Sequence, residues 1–559
     1  MTHNDTRTPD ALLHSAIGRV TGGLSPTALA TAYLDWAMHL AGSPTKQGDL
    51  LAKAQTEALR LMTGGKRSEE RNGRDSRFSD PRWNTLPFAA YRDTFLAQQR
   101  WWNAATTHLA GVDPKHERIV NFIARQMLDM AAPSNFAITN PTVLSRTWDE
   151  HGENLLRGAQ NWIQDFNQLI GQRRRPHCED FCVGRDIAVT PGEVVFRNRL
   201  IELIRYTPRS DTVRPEPILI VPAWIMKYYV LDLSPENSLV RYLCEQGFEV
   251  FIISWKNPDA DDADLTMQDY VDLGVRAAIK KITRGDKDAR LHAVGYCLGG
   301  TLLSIAAAAM ARDGDDRFAT LSLLASQVDF SEPGEIGLFI NESQVAFLED
   351  IMATQGYLDA DQMAGAFRLL RSNDLIWSRV IRHYLLGERT QMNDLMAWNA
   401  DSTRMPAKMH SEYLRHLFLH NDLAKGMFQV DDAPVALSDI RAPIFCVATT
   451  KDHIAPWRSV YRLMLLTDTD VTFVLTNGGH NGGILSEPGH EGRHYFRIHK
   501  TEGDAYRSAG AWIETAKAHD GSWWPVWTRW LAEKSGAPVA PRRTNVPHIA
   551  AAPGHYVFG

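Results

Sequence analysis

One stretch near the middle of the chain, Val294 to Gly300 (VGYCLGG), limits most strongly which fold this sequence can adopt. The apolar residues before it are typical of the end of a buried strand, and residues 301–311 (TLLSIAAAAMA) are typical of a small-residue helix. A strand that turns directly into a helix strains its corner residue, and flanking glycines remove the Cβ atoms that would clash there. The pattern Gly-x-Cys-x-Gly therefore predicts a nucleophile elbow with Cys297 at the corner.

The elbow has a chemical consequence for Cys297. The N-terminus of the following helix favours a thiolate over a thiol, and the backbone N–H of Leu298 is placed to stabilise an oxyanion. The alternative is a buried structural cysteine in a glycine-rich turn, because free cysteine is among the most buried residue types. The surrounding chain must decide between the two.

The composition of the chain excludes several classes of protein. A length of 559 residues predicts more than one domain, and a net charge of −6 does not indicate a nucleic-acid partner. The N-terminus (MTHNDTRTPD) lacks the apolar core of a signal peptide, and no apolar run approaches the length of a transmembrane helix. Five cysteines, an odd number, fit a reducing compartment. We expect a cytoplasmic protein without a transmembrane segment.

Neither a metal nor a cofactor is predicted. His177, Cys178 and Cys182 place three possible ligands together, but no second pair follows at the spacing of a zinc site. The chain also has no glycine-rich phosphate loop of the Walker or dinucleotide type.

The pattern of apolar residues changes at residue 186. Residues 24–63 and 83–162 show helical spacing, with a charged loop between them and no convincing strand, so residues 1–185 are predicted to form an all-helical N-terminal domain. In residues 186–559 strands and helices alternate, which predicts an α/β domain with a doubly wound, mostly parallel sheet. Residues 331–437 interrupt this alternation with a mainly helical pattern too long for a loop, and we interpret them as an inserted helical cap.

Two candidate partners of Cys297 follow late strands of the predicted sheet. Asp452 comes just after the strand ending at residue 448, and His480 lies on a glycine-rich loop after the strand ending at residue 475. The order nucleophile, acid, histidine is that of the α/β-hydrolase fold, so we predict a Cys297–His480–Asp452 triad. His453 is a rival base, and Ile225 is preferred over Trp224 as the second oxyanion donor after the early strand.

Several longer stretches resemble one family. They include Ala132–Phe136 (APSNF), Ile220–Pro258 (which begins IVPAWIMKYY), Trp398–Thr403 (WNADST) and Asp452–Trp457 (DHIAPW). Together with the elbow they are similar to the polyhydroxyalkanoate synthases, specifically the single-subunit class I enzymes of the α/β-hydrolase superfamily. The resemblance runs from the helical N-terminal half through the tail.

The resemblance implies an acyltransferase that polymerises (R)-3-hydroxyacyl-coenzyme A into a polyester and releases coenzyme A through an acyl-cysteine intermediate. A short-chain substrate, 3-hydroxybutyryl-coenzyme A, is expected. The family's catalytic residues fall on Cys297, Asp452 and His480, its cap tryptophan falls on Trp398, and Tyr296 and His453 are expected next to the substrate. The resemblance also implies a homodimer at the surface of cytoplasmic polyester granules. Phasin-type proteins are expected partners there, and the N-terminal domain is expected to serve granule association and dimerisation.

Two other functions remain open from the sequence. The same triad could serve a cysteine-dependent acyl-coenzyme A thioesterase, or the chain could be an inactive protein of the granule surface. The stretch around the early turn also departs from the family pattern at Pro222-Ala223 and Met226-Lys227. These departures leave the triad unchanged but put details of the acyl pocket in doubt.

Overall fold

A computed structural model describes residues 8–63, 75–171, 181–286, 288–359, 376–389, 391–541 and 549–559, with side chains of 168–171 left aside. His177 and Cys178 of the three possible metal ligands therefore lie outside the described residues. Contacts between residues divide the chain into two compact units. The first contains residues 1–20, 178–364 and 392–559, and the second contains residues 21–177 and 365–391.

The second unit is helical throughout its described residues. Its helices before the first strand are α2 (Pro26–Ala41), α3 (Pro44–Thr63), α4 (Phe88–Ala105), α5 (Pro114–Met130), α6 (Pro141–Asp149) and α7 (Glu153–Gly171), following α1 (Pro9–Thr21) of the chain. Three of them begin with a capping residue followed by proline, at Ser25, Asp113 and Asn140. Each cap side chain accepts backbone N–H groups of the first turn, and proline suits the first helical position because its missing N–H would be unpaired there.

Two short segments do not follow the simple division at residue 185. Helix α1 lies with the α/β unit, where His14 Nδ1 is 2.7 Å from Asp350 Oδ2 and a Cβ on Gly18 would lie 2.5 Å from Ile351 Cδ1. The described residues 376–389 lie instead with the N-terminal helices, and there Asn154 Nδ2 donates to Leu385 O at 2.8 Å. Helical periodicity shows which face of a helix is apolar but not which distant segment covers it.

The first unit is built on one large sheet. Its described strands run in the order β14-β13-β12-β11-β6-β5-β3-β4-β2-β1-β15. The strands are β1 (Gly192–Arg197), β2 (Ile201–Tyr206), β3 (Ile218–Val221), β4 (Val250–Trp255), β5 (Leu291–Tyr296), β6 (Phe318–Leu324), β11 (Ile444–Thr449), β12 (Val471–Thr476), β13 (His494–Lys500), β14 (His519–Asp520) and β15 (Ala550–Ala551).

The six central strands, β12 to β4 in that order, are parallel, and the strands beyond them are antiparallel. The central strands are buried along almost their whole length because helices cover both faces of a parallel sheet. Burying an aliphatic side chain fully in such a strand stabilises the folded state by about 1.5–3 kcal/mol relative to leaving it exposed to water. The carboxyl ends of these strands share one edge, where open α/β sheets place their ligand sites.

The helices of the first unit pack between and beyond these strands. They are α8 (Leu239–Glu245), α9 (Met267–Asp269, continued by a π-helical segment Tyr270–Arg276 and by Ala277–Ile282), α10 (Leu298–Arg312), α11 (Glu342–Gln355), α12 (Asp394–Asn399), α13 (Ala407–Glu412, continued by a π-helical segment Tyr413–Leu419), α14 (Trp457–Tyr461), α15 (Leu463–Leu466), α16 (Ala509–Ile513) and α17 (Trp524–Glu533). Helix α10 follows β5 after a single residue, Cys297.

The region between β6 and β11 carries the predicted cap. Its described residues include α11 to α13, a π-helical segment Val380–Leu385, and two small antiparallel pairs, β7 (Tyr357–Leu358) with β8 (Met405–Pro406) and β9 (Gln429–Val430) with β10 (Ala433–Pro434). The mainly helical prediction did not include these pairs, because strands of two residues have no measurable periodicity. The tail is likewise less irregular than expected, since β15 extends the sheet beside β1.

Short 3₁₀ turns connect several of these elements, at Ser76–Phe78, Pro81–Asn84, Pro133–Asn135, Tyr228–Asp232, Ala260–Asp262, Glu335–Leu338, Leu437–Asp439 and Tyr556–Phe558. None of the helices within the described ranges combines the length and the apolar character needed to cross a bilayer.

Candidate active site

Cys297 occupies the corner between β5 and α10 in a strained backbone conformation. Its φ is 53° and its ψ is −126°, a region that side-chain-bearing residues rarely adopt. A Cβ on Gly295 would lie 2.3 Å from Gly300 Cα, and a Cβ on Gly299 would lie 2.1 Å from Val221 O. Both glycines are therefore required for the strand, the helix and the neighbouring turn to meet. The predicted elbow geometry is present at this corner.

His480 and Asp452 lie together beside this corner. His480 Nδ1 is 2.7 Å from Asp452 Oδ2, and the Asp452 side chain is fully buried. The other carboxylate oxygen accepts backbone N–H groups of Ile454 at 2.9 Å and Ala455 at 2.8 Å. These bonds fix the carboxylate, and they leave one oxygen directed at the imidazole. His480 also lies close to Cys297, and the ring nitrogen that remains for it is Nε2 because Nδ1 is engaged with Asp452.

The electrostatics of the site favour a protonated imidazole. Burial acts to lower the pKa of His480, but the negative charges of Cys297 and Asp452 and the hydrogen bonds to both outweigh it. The pKa of His480 is raised well above its ordinary value of 6.5 as a result. A protonated histidine between two anionic partners is the arrangement in which a cysteine serves as a thiolate nucleophile.

The turn after β3 approaches the same corner. Gly299 of α10 packs against the carbonyls of Val221 and Pro222, so the start of the turn that leads to Ile225 lies against the first residues of the helix. Leu298 is the first residue of α10, where a backbone N–H has no acceptor within the helix. The positions expected for two oxyanion donors, Leu298 and Ile225, thus lie on elements in direct contact.

Cap residues hold this turn in place. Thr403 Oγ1 donates to Trp224 O at 2.6 Å, and the Thr403 N–H donates to Ile225 O at 3.2 Å. Trp398 is buried, and its Nε1 donates to Lys227 O at 2.8 Å. Trp398 therefore contacts the early turn through the backbone of Lys227, which gives it a place beside the candidate oxyanion donors.

Of the two other residues expected near the substrate, Tyr296 is buried beside His480 and His453 is exposed. Tyr296 is buried, its ring lies 5.8 Å from that of His480, and its hydroxyl donates to Asn481. Burial and the charges of Cys297 and Asp452 raise the pKa of Tyr296 well above its usual value, so the hydroxyl stays protonated. His453, in contrast, is exposed, and its carbonyl lies against Gly334. Of the two histidines, His480 is the one that lies beside Cys297.

Sequence reasoning missed residues that the cap contributes to the site. Tyr413 is buried close enough to Cys297 for the thiolate charge to add to the effect of burial and raise the pKa of Tyr413. Its ring lies edge-on to Trp224, with centroids 6.2 Å apart. No local pattern identifies Tyr413, because it reaches the site only through the fold of the segment between β6 and β11. Thr403 ends the WNADST stretch that carries the resemblance, but the sequence does not show its contact with the early turn. Asn481, which directly follows His480, could have been considered from its position.

The parallel sheet, the strained corner and the His480–Asp452 pair on the loops after β11 and β12 define the chain as an α/β-hydrolase-fold protein with cysteine at the elbow. Comparison with family models agrees, since residues 216–485 match the alpha/beta hydrolase fold. Residues 74–243 match the Poly-beta-hydroxybutyrate polymerase (PhaC) N-terminus, and residues 4–46 match the Poly-beta-hydroxybutyrate polymerase N terminal model.

Curated proteins extend this result over most of the chain. A poly(3-hydroxyalkanoate) polymerase of Methylorubrum extorquens is 40% identical over 86% of this chain and 80% of its own length. A poly(3-hydroxyalkanoate) polymerase subunit of Cupriavidus necator is 35% identical over 92% of this chain and 89% of its own length. Among solved structures, a monoacylglycerol lipase of Paleococcus ferrophilus covers 60% of this chain and is itself covered over 99%, with 13% identity and a TM-score of 0.32. The chain belongs to the poly(3-hydroxyalkanoate) polymerase family, and it is an acyltransferase.

Proposed function

We propose that this acyltransferase polymerises (R)-3-hydroxyacyl-coenzyme A through a covalent acyl intermediate on Cys297 and releases coenzyme A. One observation carries the proposal, namely the hydrogen-bonded pair of His480 and the buried Asp452 beside Cys297 at the carboxyl edge of the sheet. Membership of the polymerase family supports the reaction type, and a nucleophile, a base and an orienting acid are what acyl transfer requires.

The first step is acylation of Cys297. His480 Nε2 takes the thiol proton, and the thiolate attacks the carbonyl carbon of the thioester. The backbone N–H groups of Leu298 and Ile225 hold the oxyanion that forms. When the tetrahedral intermediate collapses, the bond to coenzyme A breaks, His480 returns a proton to the departing sulfur, and the acyl group remains on Cys297.

The second step lengthens the polymer. The 3-hydroxyl of one hydroxyacyl unit attacks the acyl-thioester of another, and His480 takes the hydroxyl proton in the transition state. An ester bond forms, a thioester bond breaks, and the released sulfur takes the proton from His480. A thioester intermediate suits this step better than a serine ester, because a thioester stays reactive towards an alcohol whereas ester exchange would be nearly equal in energy.

The surroundings of Cys297 support transfer to a hydroxyl over hydrolysis. Cys297 is only 8% exposed, and the buried ring of Tyr413 from the cap lies within reach of its charge. Water-poor sites protect reactive intermediates from hydrolysis. Trp398 and Tyr296, which border the early turn and His480, are proposed to contact the acyl group, and His453 is proposed to contact the more exposed part of the substrate.

The helical unit is proposed to bind the polyester surface. Trp148 on α6 is 84% exposed, and Trp162 and Phe166 on α7 are also exposed and stack with ring centroids 5.0 Å apart. Exposed aromatic clusters of this kind mark interaction surfaces. We propose a granule-bound enzyme in the cytoplasm with residues 1–185 serving attachment and pairing of two subunits. The division into residues 1–185 and 186–559, with a cap at 331–437, likewise stays a proposal.

One assay separates this function from the alternatives. Purified enzyme receives 3-hydroxybutyryl-coenzyme A, and polymer, free 3-hydroxybutyrate and free coenzyme A are each quantified. Polymer with stoichiometric coenzyme A supports the proposal, whereas free acid without polymer would identify a thioesterase. No coenzyme A release from folded protein, over substrates of several chain lengths, would identify an inactive surface protein. The Cys297→Ala variant serves as the control and should form no polymer.

A further inference from the structure

Two histidines and one aspartate form a cluster on the exposed side of the cap, away from the triad residues in sequence. His416 lies in the π-helical continuation of α13, His420 follows its end, and Asp422 is on the next turn. Their candidate ligand atoms all lie within 4.8 Å of one another. We propose that His416, His420 and Asp422 bind a divalent metal ion such as Zn²⁺. Nothing in the acyl-transfer chemistry uses these three side chains.

The ligand set and its spacing fit such an ion. Zn²⁺ is bound by imidazole nitrogen and carboxylate oxygen, and two histidines four positions apart present their rings from one side of a helix. Asp422 Oδ2 lies 2.7 Å from His416 Nδ1 and 3.9 Å from His420 Nδ1. Tetrahedral bonds of about 2.0–2.1 Å place neighbouring ligand atoms about 3.3 Å apart, so each of the two distances needs to change by about 0.6 Å, which side-chain rotation can supply. A water molecule would complete the coordination.

The backbone already holds the three ligands in this arrangement. The Asp422 N–H donates to His416 O at 2.7 Å, and the Met427 N–H donates to Asp422 O at 2.8 Å. The His416 ring packs against Phe428 with centroids 5.9 Å apart. An ion would therefore bind a preformed site, which lowers the entropy cost of binding. Lys425 is the nearby cation, but its Nζ is engaged with the carbonyl of His420.

Binding at this cluster would act on the segment that borders the active site. The segment that carries His416 begins with Tyr413, whose buried ring lies near Cys297. At its other end, Asn421 between His420 and Asp422 donates to Asp329 Oδ1 at 3.0 Å and accepts from the Phe330 N–H at 2.8 Å. These contacts join the cluster to the loop after β6. The ion should thus stabilise the cap against thermal unfolding, because it binds only the folded arrangement.

The experiment uses the full-length enzyme with Co²⁺ as a spectroscopic probe and Zn²⁺ for stability. Equilibrium dialysis counts the bound Co²⁺, and its visible spectrum shows whether a thiolate is a ligand. His420→Ala removes one ligand, and it is the mildest choice because the exposed His420 ring has no aromatic neighbour other than His416 among the described contacts. His490→Ala is the matched control, since exposed His490 pairs with Glu487 at 2.6 Å in a two-residue pair.

We expect wild type and His490→Ala to bind one equivalent of Co²⁺ without a thiolate charge-transfer band. We expect His420→Ala to bind at least about tenfold more weakly, since losing even a residue behind a metal ligand can cost that much. Zn²⁺ should raise the thermal midpoint of wild type and His490→Ala but not of His420→Ala. Equal binding by His420→Ala and wild type, or a thiolate band for the bound equivalent, would overturn the proposal. If His420→Ala does not fold, the same comparison is made with His420→Asn.

Discussion

Replacing Asp452 with asparagine should separate the two steps of the reaction. The carboxylate oxygen Oδ1 accepts the N–H groups of Ile454 and Ala455, so an asparagine must keep its own carbonyl oxygen there. Its NH₂ group then points at His480 Nδ1, where Asp452 Oδ2 lies at 2.7 Å in the native enzyme. An NH₂ donor at this place makes Nδ1 an acceptor, which puts the imidazole proton on Nε2. His480 can then no longer accept a proton from Cys297 or from a substrate hydroxyl.

The size of the effect differs between the steps because the two acids differ. An ordinary thiol with a pKa near 8.5 is about 3% ionised at pH 7, so acylation can proceed without a base at a rate about 30-fold lower. An aliphatic hydroxyl does not ionise measurably at this pH. The rate of elongation should therefore fall by about 10⁴, the factor seen when the same substitution leaves a catalytic histidine in the wrong tautomer. This factor corresponds to an activation free energy higher by about 5.4 kcal/mol.

Rapid-quench measurement of coenzyme A release tests this difference. The Asp452→Asn enzyme should release about one equivalent of coenzyme A in a slowed first turnover and then almost none, with acyl-enzyme accumulating. Asp468→Asn is a matched control at an exposed position and should behave as wild type. Equal reduction of the first turnover and of the steady state would refute the separation of the two steps, and an unchanged steady state would refute any role for Asp452.

Two further predictions follow from the elbow. Gly299→Ala introduces a Cβ 2.1 Å from Val221 O, so we expect the free energy of unfolding, measured by denaturant unfolding, to fall by about 1–3 kcal/mol. The turnover rate, measured by coenzyme A release, should fall by about 100-fold because the oxyanion donors move apart. Cys297→Ala removes one of the charges that raise the pKa of His480, so NMR titration should show a lower pKa in the variant. Protonated His480 stabilises the native fold fully below pH 6.5, and this contribution is lost as the pH rises through the raised pKa. The loss should be smaller in the variant and should be complete at a lower pH.

The centre of the sheet and the positions of the candidate triad could be predicted from the sequence because each depends on local pattern. Strand β3 is a continuous apolar run, β11 is apolar up to its last residue, and β5 ends where glycines permit a sharp turn. Parallel strands place their carboxyl ends on one edge, so the sequence alone predicts Asp452 and His480 beside Cys297. His480 lies near both Cys297 and Asp452 because all three residues follow strands that end at this edge.

Other parts of the fold depend on long-range packing and could not be predicted. Strand β13 has a mixed pattern of burial, and β14 and β15 are too short to show a period, so the antiparallel edges left no clear signal. The inserted cap stays a prediction, and the position of Tyr413 beside Cys297 depends on how α13 packs. The assignment of the described residues 376–389 to the helical unit is of the same kind, since helices of similar character occur in both units.

The central claim is that the growing acyl group is attached to Cys297. The most direct measurement mixes the enzyme with a small excess of 3-hydroxybutyryl-coenzyme A, quenches with acid, and locates the added mass by peptide mass spectrometry. We predict one or more 3-hydroxybutyryl units on the peptide that contains Cys297, sensitive to hydroxylamine and absent from Cys297→Ala. Polymer formation with no acyl group on Cys297, or with the acyl group on another residue, would contradict the claim.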